Sequence, residues 1–332
     1  EVMPKVRQTS PPGEMFAYDN AGYAVLGRIV EVLREKPWSR VLRERLTGPL
    51  GLEHVATRAD EAILFRAAVG HVQADPSDEP TPTKVWALPY SNAPAGAMLA
   101  MSARDLLGFA RLHLTDGLAP DGSRLLSEAA AVEMRAPFTD VPRLTPRPTQ
   151  RGLGWIRYDW DGGLVVGHDG QTIGQLAYLR VVPEQGVAVA VLTNGGRAGR
   201  LSTAITSEAL RALAGIAVPP LPGVPPGPVG AVDRPERYVG RYEVHSGRVD
   251  VEVDDEGRLW MTNTELGELA ELEEHSAEPE RQLLVPLDPA DGPDRFAVVE
   301  PVHGMHRWVA FLGSDEAGRA RFLHTSRALP RV

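Results

Sequence analysis

The stretch PPGEMFAYDNAGYAVLGRIVE (Pro11–Glu31) joins a turn and a short apolar run to a helix. Apolar residues in its second half recur every three or four positions, which predicts a helix over residues 19–35. Asp19 or Asn20 is a suitable N-cap, because a side-chain oxygen there can accept the first free backbone N–H groups of the helix. Tyr18 and Asn20 can thus mark a helix start or belong to an active site, and the rest of the chain must decide between the two.

The composition of the chain limits its number of domains and the function classes to which it can belong. The chain has 332 residues, 43% of them hydrophobic, enough for about two domains with a sizeable core. Its net charge is −9 and no Lys- or Arg-rich run stands out, which argues against nucleic acid as a partner. No stretch approaches the ~20 apolar residues that a membrane span needs. Cysteine is absent, which excludes disulfides, thiolate nucleophiles and Cys-ligated metals, and we expect no metal and no cofactor.

The second half of the chain changes pattern. From residue 163 onward, β-type runs are joined by short turns such as PEQG, and a helical stretch follows. Six prolines then fall between residues 219 and 228, which favours an extended, semi-rigid spacer. The remainder alternates as in a small antiparallel barrel or sandwich. The predicted domains are therefore 1–217, a Pro-rich linker 218–235, and a β domain 236–332.

One β-type run carries His168-Asp169-Gly170, which alone is commonplace. In this order with Tyr18-x-Asn20, however, it resembles the serine β-lactamase and DD-peptidase superfamily, in particular the class C-like branch with its D-aminopeptidases, carboxypeptidases and esterases. Tyr18 and Asn20 match the Tyr-x-Asn motif, and His168 and Gly170 match the Lys/His-x-Gly motif. The resemblance covers about residues 8–215. The segment after residue 236 is similar to the lipocalin-like β-barrel often appended to such enzymes.

The resemblance implies an α+β fold, with an antiparallel sheet and a helical subdomain, N-terminally incomplete, plus a small C-terminal antiparallel β-barrel domain. It also implies roles for five residues. Tyr18 would be the base, although a tyrosine serves as one only where nearby cations favour the phenolate. Family members supply one such cation at the position of His168. Asn20 would orient a substrate carbonyl, the backbone N–H of Gln171 would be an oxyanion donor, and Gly170 would let substrate approach the strand.

The family nucleophile is missing. It is the Ser of Ser-x-x-Lys, but none of the three lysines here has Ser three residues before it. Thr81-x-x-Lys84 is a formal variant in a Pro-rich loop on the wrong side of Tyr18, and Tyr90-x-Asn92 repeats the Tyr motif without an apolar helix directly after it. We therefore expect the C-terminal part of a serine hydrolase that is inactive by itself. Its own N-terminal fragment, carrying Ser-x-x-Lys, is then an expected partner.

Substrate and location are less constrained. A small-molecule or peptide substrate is expected, with D-amino-acid peptidase or esterase activity favoured over β-lactamase. Asp169 stands where relatives that bind carboxylates carry Thr or Ser, so its charge would disfavour anionic substrates if it faces the cleft. Neighbours on a strand alternate faces, and Asp169 can equally point away. The alternative function is a non-catalytic binding or assembly protein that reuses the fold. An extracytoplasmic location, periplasmic or secreted, is the favoured expectation.

Overall fold

The structure is a computed structural model. It describes residues 6–73, 78–147, 149–195, 198–267, 281–288, 294–301 and 305–332.

The chain forms two compact units. We call one the barrel unit and the other the sheet unit. The division falls between Tyr18 and Asp19, inside the Tyr-x-Asn motif. The barrel unit comprises Glu1–Tyr18, Asp140–Thr149 and Pro219–Val332, and the sheet unit comprises Asp19–Thr139 and Gln150–Val218.

Helix α1 (Asn20–Arg34) confirms the helix predicted from the opening stretch. Its N-cap is Asp19, whose backbone is extended and whose two carboxylate oxygens accept hydrogen bonds from the N–H groups of Ala21 and Gly22, both at 2.8 Å. Both oxygens thus satisfy N–H groups that have no partner within the helix.

The remaining helices of the sheet unit also follow local signals. Ser102 caps the fourth helix by accepting from the Asp105 N–H at 3.1 Å, and Ser127 caps the fifth in the same way. The helices are α2 (Trp38–Leu42), α3 (Ala59–Ala62), α4 (Ala103–Leu114), α5 (Glu128–Arg135) and α6 (Gly199–Ala214), with a π-helical turn at Arg43–Thr47 and a 3-10 turn at Tyr90–Ala95.

The four longest strands of the main sheet follow one another in the chain, and each pairs antiparallel with the next. The turn at residues 183–186 confirms the predicted hairpin, and Gly186 there has φ 65°, a conformation that favours glycine. These strands are β7 (Ile156–Trp160), β8 (Gly163–Thr172), β9 (Gln175–Val182) and β10 (Val187–Thr193). Short strands are β1 (Val55–Ala56), β2 (His71–Val72), β3 (Thr81–Pro82), β4 (Ala100–Met101), β5 (Thr139–Asp140) and β6 (Thr149–Arg151). The sheet order is β10-β9-β8-β7-β6-β5, β1 pairs with β4, and β2 pairs with β3.

The main sheet packs on both faces. On one face, Val166 of β8 and Val181 of β9 form a core with Ala110 of α4. On the other, Val165 and Val182 pack against α6. Because side chains alternate along a strand, each residue of β8 is assigned to one face or the other.

The C-terminal residues fold into an antiparallel eight-stranded sheet that is nearly closed, which confirms the predicted barrel. Its edges meet through a bridge between Tyr242 and Arg331 and a hydrogen bond from the Val332 N–H to the Arg241 oxygen at 3.0 Å. The strands are β11 (Gly240–Val244), β12 (Gly247–Val253), β13 (Leu259–Glu265), β14 (Arg281–Pro286), β15 (Arg295–Val298), β16 (Trp308–Leu312), β17 (Phe322–His324) and β18 (Ala328–Pro330), preceded by a 3-10 turn at Pro235–Arg237.

The proline run is not a free spacer over its whole length. The Trp308 indole N–H donates a hydrogen bond to the Gly223 oxygen, within the run, at 2.9 Å. Val224 also packs against Leu287 and Ala297 of the same unit. The sequence pattern could not show this, because proline stiffness is local whereas the apolar surface that holds the run comes from distant strands.

A buried histidine makes the sheet unit sensitive to acid. His113 is 2% exposed and contacts the rings of Phe109 and Trp155 edge-on, with centroids 5.2 and 4.9 Å away. Burial, reinforced by the positive charge of Arg135, lowers the pKa of His113 to about 4, although Asp116 opposes the shift. In the folded chain, His113 is therefore neutral well below the pH at which a solvated histidine takes up a proton.

We expect the free energy of unfolding to fall as pH decreases from about 6.5 to about 4, because the unfolded state binds the His113 proton first. Once the pH is below about 4, the lowered pKa of His113 corresponds to a loss of about 3 kcal/mol in the free energy of unfolding. Urea unfolding of the wild type and His113→Phe across this range measures it.

The variant should show a shallower pH dependence, with a remainder from His168 and His324, whose pKa values burial also lowers. Parallel curves for the two proteins would contradict this account.

Candidate active site

Strand β8 is longer than its neighbour on one side, and this creates an open edge. Strand β7 pairs only with Gly163–Gly167, whereas β9 pairs with Val166–Thr172. On the β7 side, residues 168–172 thus have no neighbouring strand in the part of the chain that the structure describes. An extended peptide can add to such an edge through main-chain hydrogen bonds.

His168 stands beside this edge and lines an apolar cavity of about 310 Å³. The indole N–H of Trp155, which is 5% exposed, has no acceptor among the described residues. A concave apolar site with a few polar groups is the usual form of a ligand site. Its other walls include Leu106 and Phe109 of α4, Met134 of α5, and Leu179 of β9.

The cavity sets the charge of His168. Burial lowers its pKa, as does the positive charge of Arg151, although a hydrogen bond with the Asp169 backbone opposes the shift. His168 is therefore neutral at neutral pH, where one ring nitrogen can accept a hydrogen bond and the other can donate. A neutral His168 does not supply the cation that the family places at this position.

Asp169 lies on the opposite face of the sheet. Its carboxylate oxygens pair with the Arg180 guanidinium at 2.5 and 3.2 Å, and that guanidinium lies over the Tyr158 ring, 4.9 Å from its centroid. Arg180 is only 12% exposed at its side chain. The sequence allowed two orientations of the Asp169 side chain. In the structure this side chain points away from His168, and Arg180 offsets its negative charge.

Gly170 and Gln171 continue the open half of β8, and both are exposed. A Cβ at Gly170 would meet only the Ala177 Cβ, at an ordinary 3.6 Å. A Cβ at Gly167 would instead lie 2.2 Å from the Leu179 backbone oxygen. Packing therefore requires glycine at position 167 but not at position 170, where the space lies beside the cavity wall.

The Tyr-x-Asn motif is divided between the two units. Tyr18 is half-buried in the barrel unit, where its backbone N–H donates to the Ser326 oxygen at 2.9 Å and the Arg327 guanidinium lies 5.5 Å from its ring centroid. Asn20 is the exposed first residue of α1. The second Tyr-x-Asn starts a 3-10 turn, and its Tyr90 hydroxyl donates to Ser39 at 3.1 Å.

The sequence analysis did not identify Arg180 as a neighbour of Asp169 or Arg327 as a neighbour of Tyr18. The sequence did contain a signal for Arg180 as the partner of Asp169. Strands β8 and β9 form a hairpin with a two-residue connection, and its register brings residue 180 near residue 169. The arginine beside Tyr18 had none, because more than 300 residues separate the two.

Comparison with known proteins assigns the family. Residues 1–213 match the family model described as Beta-lactamase. The chain belongs to the beta-lactamase family. This family match confirms the superfamily resemblance that was drawn from Tyr18, Asn20, His168 and Gly170.

Two relatives match a little more than half of this chain. Penicillin-binding protein 4 of Amycolatopsis lactamdurans is 46% identical over 212 residues, which are 63% of this chain and 55% of that protein. The unguisins hydrolase of Aspergillus campestris is 28% identical over 199 residues, 57% of this chain and 35% of that enzyme. The chain thus matches about half or less of each relative's length.

Solved structures share the fold. SurE has a TM-score of 0.72 at 24% identity, covering 98% of this chain and 70% of that one. The octameric penicillin-binding protein homologue from Pyrococcus abyssi has a TM-score of 0.51 at 20% identity, covering 92% of this chain and 63% of that one.

Within the described ranges, no three His, Asp or Glu side chains are grouped so that they could hold a metal ion. In the same ranges, no helix is long and apolar enough to cross a membrane.

The two strand glycines give a matched test of the family site. Gly170→Ala should keep the unfolding free energy of the chain within about 1 kcal/mol, because packing leaves room for a methyl group. If Gly170 lets substrate approach the strand, as the family resemblance implies, kcat/KM of the protein expressed from its full reading frame should fall by about 10- to 100-fold, because the methyl group would displace the substrate.

Gly167→Ala is the control, and it should lose about 1–3 kcal/mol or more through overpacking against β9. Urea unfolding and steady-state kinetics measure the two effects. Full activity in Gly170→Ala would remove this glycine from the site.

Proposed function

We propose that the protein is a serine hydrolase of the beta-lactamase family that cleaves amide or ester bonds through an acyl-serine intermediate, with D-amino-acid peptides or esters as substrates rather than β-lactams. The observation that carries the proposal is the open half of β8, with His168 and Gly170 beside an apolar cavity. The hydrolase named among the relatives supports the reaction class.

The chemistry assigns roles to these residues. A serine hydroxyl attacks the substrate carbonyl, and Tyr18 accepts its proton and returns it to the leaving group. The backbone N–H of Gln171 donates to the oxyanion that forms on the carbonyl oxygen. Asn20 orients the substrate carbonyl, and neutral His168 exchanges hydrogen bonds at the cavity wall. A neutral histidine in place of a lysine supports substrates other than β-lactams, which relatives hold with a cation at this position.

The serine itself belongs, in this proposal, to a segment upstream of Glu1. No Ser-x-x-Lys occurs in the chain, which matches just over half of its 46% identical relative. The sheet unit also presents surfaces suited to such a segment. Strand β10 is at the end of the sheet order, and α6 carries exposed Leu201, Ile205 and Leu213. An unpaired edge beside apolar helix residues favours the addition of a further strand.

The second candidate is a non-catalytic binding or assembly protein. The missing Ser-x-x-Lys favours it, because a family member that lacks the nucleophile retains the cavity and strand edge of a binding site. The two candidates differ in whether a covalent adduct can form.

The first test compares this chain with the protein expressed from its full reading frame. The chain alone should not hydrolyse p-nitrophenyl esters or nitrocefin, and it should not form an adduct with a fluorophosphonate. The longer protein should hydrolyse the esters and form the fluorophosphonate adduct. Tyr18→Phe should lower its turnover by about 10²–10⁴-fold, the usual effect of removing a positioned base.

Tyr90→Phe is the matched control, since it alters the other Tyr-x-Asn and should leave turnover within twofold. An adduct mapped to any residue of this chain would contradict the upstream nucleophile. A longer protein that forms no adduct would favour the binding protein.

The second test concerns the proposed N-terminal partner. Ile205→Lys places a charge at a side chain that is 43% exposed in the chain, so it should change the melting temperature of the chain by less than about 2 °C. In the longer protein it should lower that temperature by several degrees, because the upstream segment would bury the charge.

Val253→Lys, an exposed position in the barrel unit, serves as the control and should have little effect in either protein. Equal melting shifts for Ile205→Lys in both proteins would mean that no upstream segment covers α6.

A further inference from the structure

A buried histidine of the barrel unit lies under the segment that leads to Tyr18. His324 of β17 is fully buried. Its neighbour Leu323 packs in the barrel core, and because side chains alternate along a strand, His324 points to the other face of β17. Phe16 approaches the histidine on that face, with ring centroids 6.4 Å apart. His324 is therefore enclosed between a barrel strand and the segment that ends at Tyr18.

Three hydrogen bonds link His324, this segment and the turn after β17. The Ser326 N–H donates to His324 Nδ1 at 3.3 Å, and His324 Nε2 lies 2.8 Å from the Phe16 oxygen. The Tyr18 N–H donates to the Ser326 oxygen at 2.9 Å. Ser326 has φ 90°, a conformation that is costly for a residue with a Cβ and persists where the surroundings enforce it. The backbone of Tyr18 is thus held by a strained turn that His324 itself supports.

The two partners of the His324 ring define its protonation state. A backbone N–H can only donate, so Nδ1 must present a lone pair to Ser326. A carbonyl oxygen can only accept, so Nε2 must carry the proton that faces Phe16. The ring is thus neutral and protonated at Nε2. A second proton, added at Nδ1, would face the Ser326 N–H with another donor and break that hydrogen bond.

Few charges surround the ring. The strands that pair with β17, which are β16 and β18, contain no titratable side chain. In residues 11–18 the charged group is Glu14, which pairs with Arg321 at 3.1 Å, and in the turn it is Arg327, which lies against the Tyr18 ring. Burial lowers the pKa of His324, although its hydrogen bond to a carbonyl oxygen opposes the shift. Desolvation by the covering segment therefore keeps the ring neutral.

We propose that His324 is a positioning residue for the proposed base: its neutral ring holds the backbone of Tyr18 on the barrel unit, and a proton on the ring releases that backbone. The consequence for catalysis rests on the proposed function, whereas the release itself does not. When the segment lifts away, the ring meets water and takes up a proton with the ordinary histidine pKa of about 6.5. The closed state is therefore stable at neutral pH and loses stability as the pH falls below about 6.5.

Hydrogen exchange of this chain, measured by NMR, tests the release without a substrate. The protection factor of the Tyr18 N–H should fall by about tenfold between about pH 7 and about pH 5. The reference is the Phe311 N–H, which donates to the Asp294 oxygen at 2.9 Å and reports opening of the barrel as a whole. The nitrogen chemical shifts of His324 should show the form protonated at Nε2 at neutral pH.

Two variants separate the hydrogen bonds from the charge. His324→Gln keeps a donor and an acceptor but takes up no proton, so the protection of Tyr18 should stay close to that of the wild type and should not fall with pH. His324→Phe removes both hydrogen bonds and should lower the protection by about tenfold even at neutral pH. His306→Gln is the control, because this barrel histidine lies 3.2 Å, through Nδ1, from the Val298 oxygen, and its replacement should leave Tyr18 unaffected.

The outcomes distinguish release from general unfolding. Equal loss of protection at Tyr18 and Phe311 in the wild type would overturn the proposal, and so would the same pH dependence in the wild type and His324→Gln. If His324→Phe does not fold, the comparison of these two proteins decides the question.

Steady-state kinetics of the protein expressed from its full reading frame tests the consequence for catalysis. For a p-nitrophenyl ester, His324→Phe should lower kcat by about tenfold with little change in KM, and His324→Gln should restore most of the loss. Unchanged kcat in His324→Phe would overturn the positioning role. If the wild type hydrolyses no ester, the proposed reaction fails, and the exchange experiment still supports or overturns the release of Tyr18.

Discussion

The candidate site depends on the alternation of side chains along β8. One residue after His168, the Asp169 carboxylate lies on the other face of the sheet and pairs with Arg180 of the next strand. This charged pair joins the two strands next to the α6 face, at the point where β7 has ended. Breaking it would leave a largely buried guanidinium without its counterion, which is a costly state for any protein. The alternation therefore keeps the negative charge away from the cavity while it fixes the backbone from which His168 and Gly170 project.

Placing His168 against apolar walls has an electrostatic consequence. A histidine that loses solvent is held neutral, so a mechanism that needs a cation near the phenol of Tyr18 must obtain it elsewhere. In the described residues, the charge beside Tyr18 is Arg327, and it comes from the barrel unit. A cation next to the Tyr18 ring is thus present within the barrel unit itself, on the hairpin that follows β17.

The features that the sequence predicts depend on residues close together in the chain, whereas those it does not predict depend on residues far apart. Helix α1 and its cap, the hairpin of β9 and β10, and the barrel all follow from signals within a few residues, such as Asp19 before an apolar period or Gly186 in a turn. The two faces of β8 follow from its period of two, although only the structure shows which face is the cavity. The contacts of the proline run and of Tyr18 with the barrel could not be predicted, because each joins residues far apart in the chain whose local patterns carry no sign of the other.

The Tyr-x-Asn motif is divided between two units, and each half of it has its own structural support. Tyr18 owes its backbone position to Ser326, whereas Asn20 owes its position to the first turn of α1. One intervening residue, Asp19, links them, and its carboxylate is fixed by two helix N–H groups. Strands of the barrel unit that contain no family motif therefore fix the backbone from which Tyr18 projects, and substitutions in the β17–β18 hairpin are expected to displace this residue.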